Sequence, residues 1–432
     1  MKKINIGIIG LGTIGGGVVE AINANGELIA KRTGIELVVK GVCDMDKSAL
    51  KSVPCSAGAI RTSKAADIIN DKEIDIVVEL IGGSSPAKEI ILEALSAGKH
   101  VVTANKALLS ESGKEIFEAA SSKGLMVNFE AAVGGGIPVI RALRESFVAN
   151  RINVIFGILN GTTNFILSEM SANGSSFEEA LGIAQEKGFA EKDPTLDISG
   201  ADSAHKLAIL SLLGFGVNIS PEDIYTEGIE SIEPQDIQTA ERWGYSVKLL
   251  AIAKDSPEGL ELRVHPTLLP SSHLLSDVSG ADNAIFIKGD LVGEALLFGK
   301  GAGRKPTASS VVSDVVEIGK NAAGGEEKVS GVSLDYDEGK KSVGDMQALS
   351  VTSYLRFSVI DKPGVLAGIS SILAENDISI ANVSQEERKE GEVVPVIILT
   401  HRSLEGNMRA AIAKIDAMDF VAKKTVVIRI EE

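Results

Sequence analysis

Two lysines and a cluster of carboxylates are the side chains of this 432-residue chain whose types and spacing could do chemistry. Lys106 closely follows an apolar run, so it should lie at the carboxyl edge of a predicted sheet, where ligands collect. Lys206 lies on a predicted helix, one turn after Asp202. A lysine can polarise or protonate a carbonyl oxygen that becomes an alkoxide during hydride transfer. A solvated surface role is the default for an arbitrary lysine, but these two settings favour carbonyl reduction.

Carboxylates are concentrated in the segment between residues 191 and 202, which precedes Lys206. They include Glu191, Asp197 and Asp202. Such a cluster could bind an α-ammonium group, or it could be a solvated loop that caps the following helix. Residue types alone support both interpretations equally.

The other reactive residue types argue against a covalent or metal-dependent mechanism. The only two cysteines, Cys43 and Cys55, fall within or beside the predicted nucleotide-binding fold, so a thioester intermediate is disfavoured. The five histidines show no zinc-ligand spacing. Two cysteines form no disulfide framework, which favours a reducing cytoplasm as the location.

A glycine motif near the N-terminus predicts a dinucleotide site. The segment Gly10–Gly15 matches Gly-x-Gly-x-x-Gly, follows an apolar run and opens a predicted helix. Gly10 would make the tight turn, Gly12 would let a pyrophosphate approach the backbone, and Gly15 would allow close packing of strand and helix. The helix N-terminus then offers N–H groups to the phosphates.

The preference between NAD and NADP stays open. Asp44 ends the second predicted strand and could hydrogen-bond a ribose 2′-hydroxyl, which would favour NAD. Lys47 could instead attract the 2′-phosphate of NADP, with Asp44 only capping the following turn.

The elements that must position these residues form a strand–helix rhythm over residues 1–130. Apolar runs rich in valine and isoleucine, without strict alternation, are typical of strands buried on both faces. These runs are Ile4–Ile9, Glu36–Cys43, Ile74–Leu80, His100–Thr103 and Leu125–Phe129. We therefore expect a Rossmann-like, doubly wound parallel sheet.

Further domains are expected after this one. Residues 131–298 are predicted to form an α/β substrate and catalytic domain, and residues 299–320 a helix that packs back on the first domain. Residues 321–349 resemble a solvated linker. Residues 350–432 have their own strand–helix–strand pattern, which indicates a small separate α/β domain.

Composition excludes some partner classes. The formal net charge of −16 argues against general nucleic-acid binding, because no excess of lysine and arginine is available to neutralise phosphates. No apolar stretch reaches the roughly 20 residues that a membrane-spanning helix needs.

Several segments together resemble the homoserine dehydrogenase family, in the order that the family has them. They are Ala131–Pro138, Gly157–Leu167, Glu191–Lys206, Gly301–Gly303 and Pro306–Ser309. The resemblance implies NAD(P)-dependent interconversion of L-aspartate 4-semialdehyde and L-homoserine by direct hydride transfer, in threonine, methionine and isoleucine biosynthesis.

The resemblance also implies roles for individual residues. Lys206 and Lys106 would be the catalytic lysines, with Lys206 the favoured proton donor to the aldehyde oxygen. Glu191 and Asp202 would hold the amino group of the substrate, and Asp197 would orient the second lysine. Cofactor contacts would come from Thr13, Ile14, Gly188 and Gly303. Cys43 stands where many NADP-using members have arginine, which leaves NADP preference in doubt.

An alkali cation, Na⁺ or K⁺, is a further expectation from the resemblance alone. Its ligands would be Glu130 and the backbone oxygens of Val133, Gly135 and Ile137. Ligation by oxygen only suits a hard cation. The alternative is a glycine-rich turn between domains.

The C-terminal segment resembles an ACT domain, a ferredoxin-like fold, in the runs Leu355–Ala367 and Ile378–Val383. Pro363 and Gly364 would turn a strand into a helix whose N-terminus can receive a carboxylate. The resemblance implies amino-acid binding between paired domains, with threonine the natural effector; the domain could instead only dimerise. We therefore expect a cytoplasmic homodimer or larger oligomer under feedback regulation, the alternative being an inactive amino-acid sensor.

Overall fold

The computed structural model describes residues 1–56, 58–83, 85–324, 342–385 and 391–431. Within them the chain forms two compact units, each assembled from separate stretches. The first unit comprises Met1–Ile152, His205–Asp223 and Asn283–Glu338. The second unit comprises Asn153–Ala204, Ile224–Asp282 and Gly339–Glu432. No helix among the described residues is long and apolar enough to cross a membrane.

The strands and helices alternate along most of the chain. The strands are β1 (Lys2–Ile9), β2 (Ile35–Cys43), β3 (Ile60–Thr62), β4 (Ile76–Glu79), β5 (His100–Thr103), β6 (Val127–Asn128), β7 (Ile152–Ile158), β8 (Tyr225–Thr226), β9 (Tyr245–Ser256), β10 (Gly259–Pro270), β11 (Asp282–Gly289), β12 (Gly293–Lys300), β13 (Ser350–Ile360), β14 (Ile380–Ser384), β15 (Val393–Thr400), β16 (Ser403–Leu404) and β17 (Val421–Ile430). The helices are α1 (Thr13–Thr33), α2 (Lys47–Ser52), α3 (Ala65–Ile69), α4 (Ser85–Ser96), α5 (Lys106–Ser122), α6 (Val139–Arg141), α7 (Gly161–Asn173), α8 (Phe177–Glu186), α9 (Thr195–Ile198), α10 (Ala201–Phe215), α11 (Pro234–Arg242), α12 (Arg304–Gly324), α13 (Val365–Glu375) and α14 (Glu405–Asp416).

The first unit contains a parallel sheet with the strand order β3-β2-β1-β4-β5-β6. The sequence changes direction along this order between β1 and β4, which is the point where a doubly wound sheet binds ligands. The predicted N-terminal parallel sheet is therefore confirmed. Strand β3 was not predicted, because it has only three residues and they include the exposed Arg61.

Helix α12 packs against α1 within the first unit. Gly17 makes this approach possible, since a Cβ there would lie 2.9 Å from the Arg304 Cγ. The Arg304 guanidinium also pairs with Glu20 of α1, with Nη2 2.7 Å from Oε1. Helix α12 ends at Gly324, inside the segment expected to be a linker, and most of that segment (residues 325–341) lies outside the described residues.

The second unit is built on a sheet that includes the order β7-β9-β10-β17-β13-β15-β14. Strands β9 and β10 form a long antiparallel hairpin. The C-terminal elements β13-α13-β14-β15-α14-β17 form a split β-α-β motif, as in ferredoxin-like domains. This confirms the predicted small α/β domain. Its strand β17 also pairs in parallel with β10, through Thr267 opposite Arg429.

Buried ion pairs join the C-terminal elements to the rest of the second unit. Asp236 of α11 is fully buried and accepts hydrogen bonds from the Tyr354 hydroxyl (2.8 Å) and the Arg356 Nε (2.7 Å) on β13. The Arg356 Nη1 also lies 3.1 Å from the Glu233 Oε1. Removing one partner of such a buried pair is strongly destabilising, because the other charge is then left buried and uncompensated.

We predict that Asp236→Ala lowers the free energy of unfolding by about 3 kcal/mol, because Arg356 then loses its buried counter-charge and keeps the Glu233 carboxylate and the Ser231 carbonyl. Urea unfolding followed by circular dichroism measures the change. Asp419→Ala is the matched control, since Asp419 is exposed and its Oδ2 lies 3.4 Å from the Nζ of the exposed Lys362. Equal unfolding midpoints for the two variants would contradict the prediction.

Candidate active site

The glycine turn joins β1 to α1 in the geometry that a dinucleotide requires. Gly10 has a φ of 96°, and its N–H donates to the Cys43 carbonyl at 2.9 Å. A Cβ on Gly15 would lie 1.9 Å from the Gly10 oxygen, so the turn accepts no side chain there. A Cβ on Gly12 would meet nothing within 4 Å. Gly12 therefore faces open space at the N-terminus of α1, where a pyrophosphate could approach the backbone.

Asp44 lies directly beside this turn, at the end of β2. Its carboxylate accepts the Leu11 N–H at 2.5 Å and the Asp46 N–H at 2.8 Å. Each bond uses one oxygen, so lone pairs remain for a ribose hydroxyl. Lys47, the alternative contact for a 2′-phosphate, is exposed at the start of α2.

The loops after β4 and β5 are tied together at the same edge of the sheet. Glu79 is fully buried, and its Oε2 accepts the Thr103 hydroxyl at 2.7 Å. Burial raises the pKa of the Glu79 carboxyl. Asn105 caps α5 through Leu108 N–H (3.2 Å) and donates from Nδ2 to the Gly83 carbonyl (2.6 Å). These bonds fix the position of Lys106, the first residue of α5.

The two predicted lysines lie on neighbouring helices. The Ser110 hydroxyl of α5 lies 2.7 Å from the His205 Nδ1 of α10. Lys106 precedes Ser110 by one turn, and Lys206 is the next residue after His205. Lys206 is 9% exposed. The structure thus brings the regions of both lysines together, through a serine and a histidine that the sequence did not single out.

Asn160, which was not predicted either, connects two of the predicted carboxylates. Its Nδ2 donates to the Asp197 Oδ1 at 2.7 Å and to the Asp202 Oδ2 at 2.9 Å. Its Oδ1 accepts the Thr163 N–H at 2.8 Å and so caps α7. Asp202 is 8% exposed, which a freely solvated loop would not explain. Glu191 lies at the exposed beginning of the same loop.

The two other glycines expected at the cofactor both adopt left-handed backbone. Gly188 follows α8 with a φ of 73°, and Gly303 precedes α12 with a φ of 121°. Each lies in a turn that a residue with a side chain would strain. Thr13 and Ile14 begin α1, next to the glycine turn.

Glu130 and the following glycines form a buried, oxygen-rich turn within the first unit. Both Glu130 oxygens accept backbone N–H groups, of Ile140 and of Arg141, at 2.9 Å each. The Glu130 N–H donates to the buried Asp314 Oδ2 at 2.8 Å. Burial raises the pKa of both carboxyls, and for Asp314 the proximity of Glu130 adds to the effect.

Two carbonyl oxygens of this turn, those of Gly135 and Ile137, already accept a hydrogen bond. Gly135 has a φ of 55°, and its carbonyl accepts the Ser310 hydroxyl at 2.7 Å. The Ile137 carbonyl accepts the Val139 N–H at 2.8 Å, and Val133 and Ile137 are buried. Each of these carbonyls has a second lone pair. Oxygen donors beside a buried carboxylate fit a hard cation.

Family models match most of the chain. The homoserine dehydrogenase NAD-binding domain matches residues 10–130, the homoserine dehydrogenase domain residues 138–316, and the ACT domain residues 353–417.

Named relatives match over the full length. The homoserine dehydrogenase of Pseudomonas aeruginosa is 44% identical and that of Neisseria gonorrhoeae 43%, each covering 100% of this chain and at least 99% of the relative. The crystal structure of a homoserine dehydrogenase from Thiobacillus denitrificans superimposes with a TM-score of 0.93 at 47% identity, over 100% of this chain and 99% of that one.

A more distant match is the structure of a relative with a bound coenzyme. A hyperthermophilic archaeal homoserine dehydrogenase in complex with NADPH matches with a TM-score of 0.61 at 28% identity, over 73% of this chain and 97% of that one. Together with the glycine turn of the first unit, these matches mark an NAD(P)-dependent oxidoreductase that acts on a CH–OH group, with an ACT domain at its C-terminal end. The chain belongs to the homoserine dehydrogenase family.

Proposed function

We propose that this enzyme interconverts L-aspartate 4-semialdehyde and L-homoserine by direct hydride transfer, using the residues assigned below. The observation that carries the assignment is the Asn160 amide, which binds both Asp197 and Asp202. Asp202 precedes Lys206 by one turn of α10. Two carboxylates held together in a partly buried setting favour a bound cation, and the substrate carries an α-ammonium group. The product enters threonine, methionine and isoleucine biosynthesis.

NAD(P)H supplies the hydride when it is bound. Lys206 donates a proton to the aldehyde oxygen as that oxygen gains negative charge, and takes it back in the reverse direction. Lys106, at the nucleotide edge of the sheet, adds a second positive charge that stabilises the alkoxide. Asp202 and Glu191 hold the substrate's ammonium group, and Asp197 orients the second lysine. Because the proton and the hydride go to different atoms of one carbonyl, no covalent intermediate with the protein is needed.

Most coenzyme contacts are assigned to the first domain, and one, Gly188, to residues 131–298. The N-terminus of α1 and the open face of Gly12 receive the pyrophosphate. Gly10 and Gly15 shape the turn, and the remaining contacts come from Thr13, Ile14, Asp44, Lys106, Gly188 and Gly303. The Asp44 lone pairs left by its two backbone bonds support a ribose contact, and so support use of NAD beside NADP.

An alkali cation, Na⁺ or K⁺, is assigned to the buried turn after Glu130. The ligands are the Glu130 carboxylate and the carbonyls of Val133, Gly135 and Ile137. The donor set is all oxygen, and burial raises the pKa of the Glu130 carboxyl, so a positive ion would relieve the cost of keeping it ionised.

We also retain the four-part division into residues 1–130 with 299–320, 131–298, 321–349 and 350–432. The contact of α12 with α1 supports assigning residues 299–320 to the first part. The ACT domain is assigned amino-acid sensing, with threonine as the effector and a cytoplasmic homodimer or larger oligomer as the working form. Relatives over the whole chain favour an active enzyme over an inactive sensor.

Replacing Lys206 tests the chemical step. We predict that Lys206→Ala lowers kcat for homoserine oxidation about 10²- to 10⁴-fold, the usual contribution of a general acid or base, with coenzyme affinity nearly unchanged. Initial rates with NAD and with NADP, and fluorescence titration with each reduced coenzyme, measure both quantities. Lys424→Ala, at an exposed position of β17, is the control. Normal turnover in Lys206→Ala would remove the proposed mechanism.

Replacing Gly15 tests the nucleotide turn. Gly15→Ala would place a methyl group 1.9 Å from the Gly10 oxygen, so the turn must open. We expect the Kd for the coenzyme to rise about tenfold or more, which is ~1.4 kcal/mol. Gly182→Ala in α8 is the control, because its Cβ would meet nothing within 4 Å. Coenzyme affinity that is the same in both variants would argue against binding at this turn.

Exchange of salts tests the cation. We predict a higher Tm in KCl or NaCl than in choline chloride at equal ionic strength, because a ligand of the folded state alone stabilises it by about 2.7 kcal/mol at 100 times its Kd. Glu130→Gln should abolish this difference, whereas the exposed Glu178→Gln should keep it. A Tm independent of the cation in the unaltered enzyme would disprove the site.

A further inference from the structure

Arg429 on β17 is a buried cation in the C-terminal domain that the proposed mechanism does not use. It is 2% exposed. Its Nε donates to the Glu405 Oε2 of α14 at 3.1 Å, inside its own domain. Its Nη1 donates to the Glu227 Oε2 at 2.7 Å, and its Nη2 to the Tyr225 hydroxyl at 3.1 Å. One guanidinium thus binds carboxylates of two different parts of the second unit, a geometry for which arginine is suited.

Glu227 belongs to a short segment, residues 225–229, that follows the edge of β10. Its N–H donates to the Val264 carbonyl at 2.8 Å, and Tyr225 pairs with Arg263 in the parallel bridge of β8 and β10. The ring of Tyr225 lies against two guanidinium groups. Its centroid is 4.8 Å from the Arg409 Cζ and 5.2 Å from the Arg429 Cζ. Backbone and side-chain contacts therefore fix this segment between β10 and the C-terminal domain.

The far side of the same segment contacts the carboxylate loop. The Ile229 N–H donates to the Ile198 carbonyl at 3.0 Å. Gly228 allows the two backbones to meet, since a Cβ there would lie 2.5 Å from the Ile198 oxygen. A Cβ on Gly200, which has a φ of 86°, would lie 3.0 Å from the Thr226 side chain. Ile198 itself is the residue after Asp197, whose carboxylate Asn160 holds.

These contacts form a short continuous route from Arg429 through Glu227 and the Ile229 N–H to Ile198. Its two hydrogen bonds are joined by the backbone of residues 227–229, and all of it lies within the second unit. Because Asp197 and Asp202 lie on either side of Ile198 and Gly200, a shift of residues 225–229 must move the loop that carries both carboxylates.

We propose that Arg429 is a positioning residue for the substrate, which sets the Asp197–Asp202 loop through Glu227 and Ile229. The inference rests on the proposed function, in which this loop holds the ammonium group of the substrate. It also makes residues 225–229 the element through which the state of the C-terminal domain changes the affinity for homoserine.

Arg356 provides the matched comparison within the same sheet. It is equally buried, lies on the neighbouring strand β13, and also binds carboxylates outside its own domain, those of Asp236 and Glu233. Those carboxylates lie on and before α11, and the Ser231 carbonyl, which accepts the Arg356 Nη2 at 3.1 Å, lies beyond residues 225–229. Loss of either arginine should destabilise the enzyme, but only loss of Arg429 should disturb the substrate loop.

The experiment measures KM for homoserine, KM for the coenzyme, kcat and Tm on full-length variants. Arg429→Met and Glu227→Gln should each raise the homoserine KM about tenfold (~1.4 kcal/mol), with the coenzyme KM unchanged. The double variant should be no worse than Arg429→Met alone, since both changes remove one contact. Arg429→Lys should be intermediate. Arg356→Met should lower Tm and leave the homoserine KM unchanged.

A variant of Gly228 tests the same route without removing the buried charge of Arg429. Gly228→Ala should raise the homoserine KM by pushing the segment away from Ile198, even if Arg429→Met does not fold. Gly182→Ala is again the control for a glycine with space around it.

Asp202→Asn separates failure of this inference from failure of the proposed function. If Asp202→Asn raises the homoserine KM while Glu227→Gln and Gly228→Ala do not, the positioning role is wrong and the substrate loop stands. An unchanged homoserine KM in Asp202→Asn would overturn both. An equal rise of KM in Arg356→Met and Arg429→Met would show a general loss of structure and would also overturn the inference.

Discussion

The second unit has to hold two carboxylates, those of Asp197 and Asp202, next to one side-chain amide, that of Asn160. Asp197 and Asp202 repel one another, and the repulsion grows as water is excluded. The loop between them can hold both only if its backbone is fixed from several directions. Asn160 fixes it from the start of α7, and the Ile229 N–H fixes its Ile198 carbonyl from the segment after β8. The buried Arg429 of the C-terminal domain then holds that segment in turn, through Glu227 and Tyr225.

Features encoded by local pattern were predictable from the sequence. The glycine turn, the parallel sheet and the C-terminal α/β domain depend on short-range spacing, and each is present. The partners of the candidate site were not predictable. Asn160, Ser110 and His205 look like ordinary capping or helix residues, and only the fold brings them to the carboxylates and lysines. Strand β3 could not be predicted, because its pairing with β2 defines it and its own composition does not.

The buried arginines of the C-terminal half were the features that the sequence predicted least well. Arg263, Arg356 and Arg429 each lie in strands whose other residues are mostly apolar, where a single arginine suggests a solvent-facing position. Their burial follows from carboxylates on distant elements, such as Asp236 and Glu405. A pattern of one strand cannot show a partner that lies on another, and desolvation makes such a pair depend on accurate geometry.

The packing of α12 on α1 bears on whether the nucleotide-binding domain is a separable module. Val18, Val19 and Ile22 of α1 share one core with Val311 and Val315 of α12, almost 300 residues further along the chain. Closing so long a loop delays this contact during folding and gives the domain a high contact order. A fragment limited to the six-stranded sheet would expose that apolar face of α1 and be prone to aggregate. The domain that carries the glycine motif is therefore complete only once α12 is present, and α12 follows residues 131–298 in the chain.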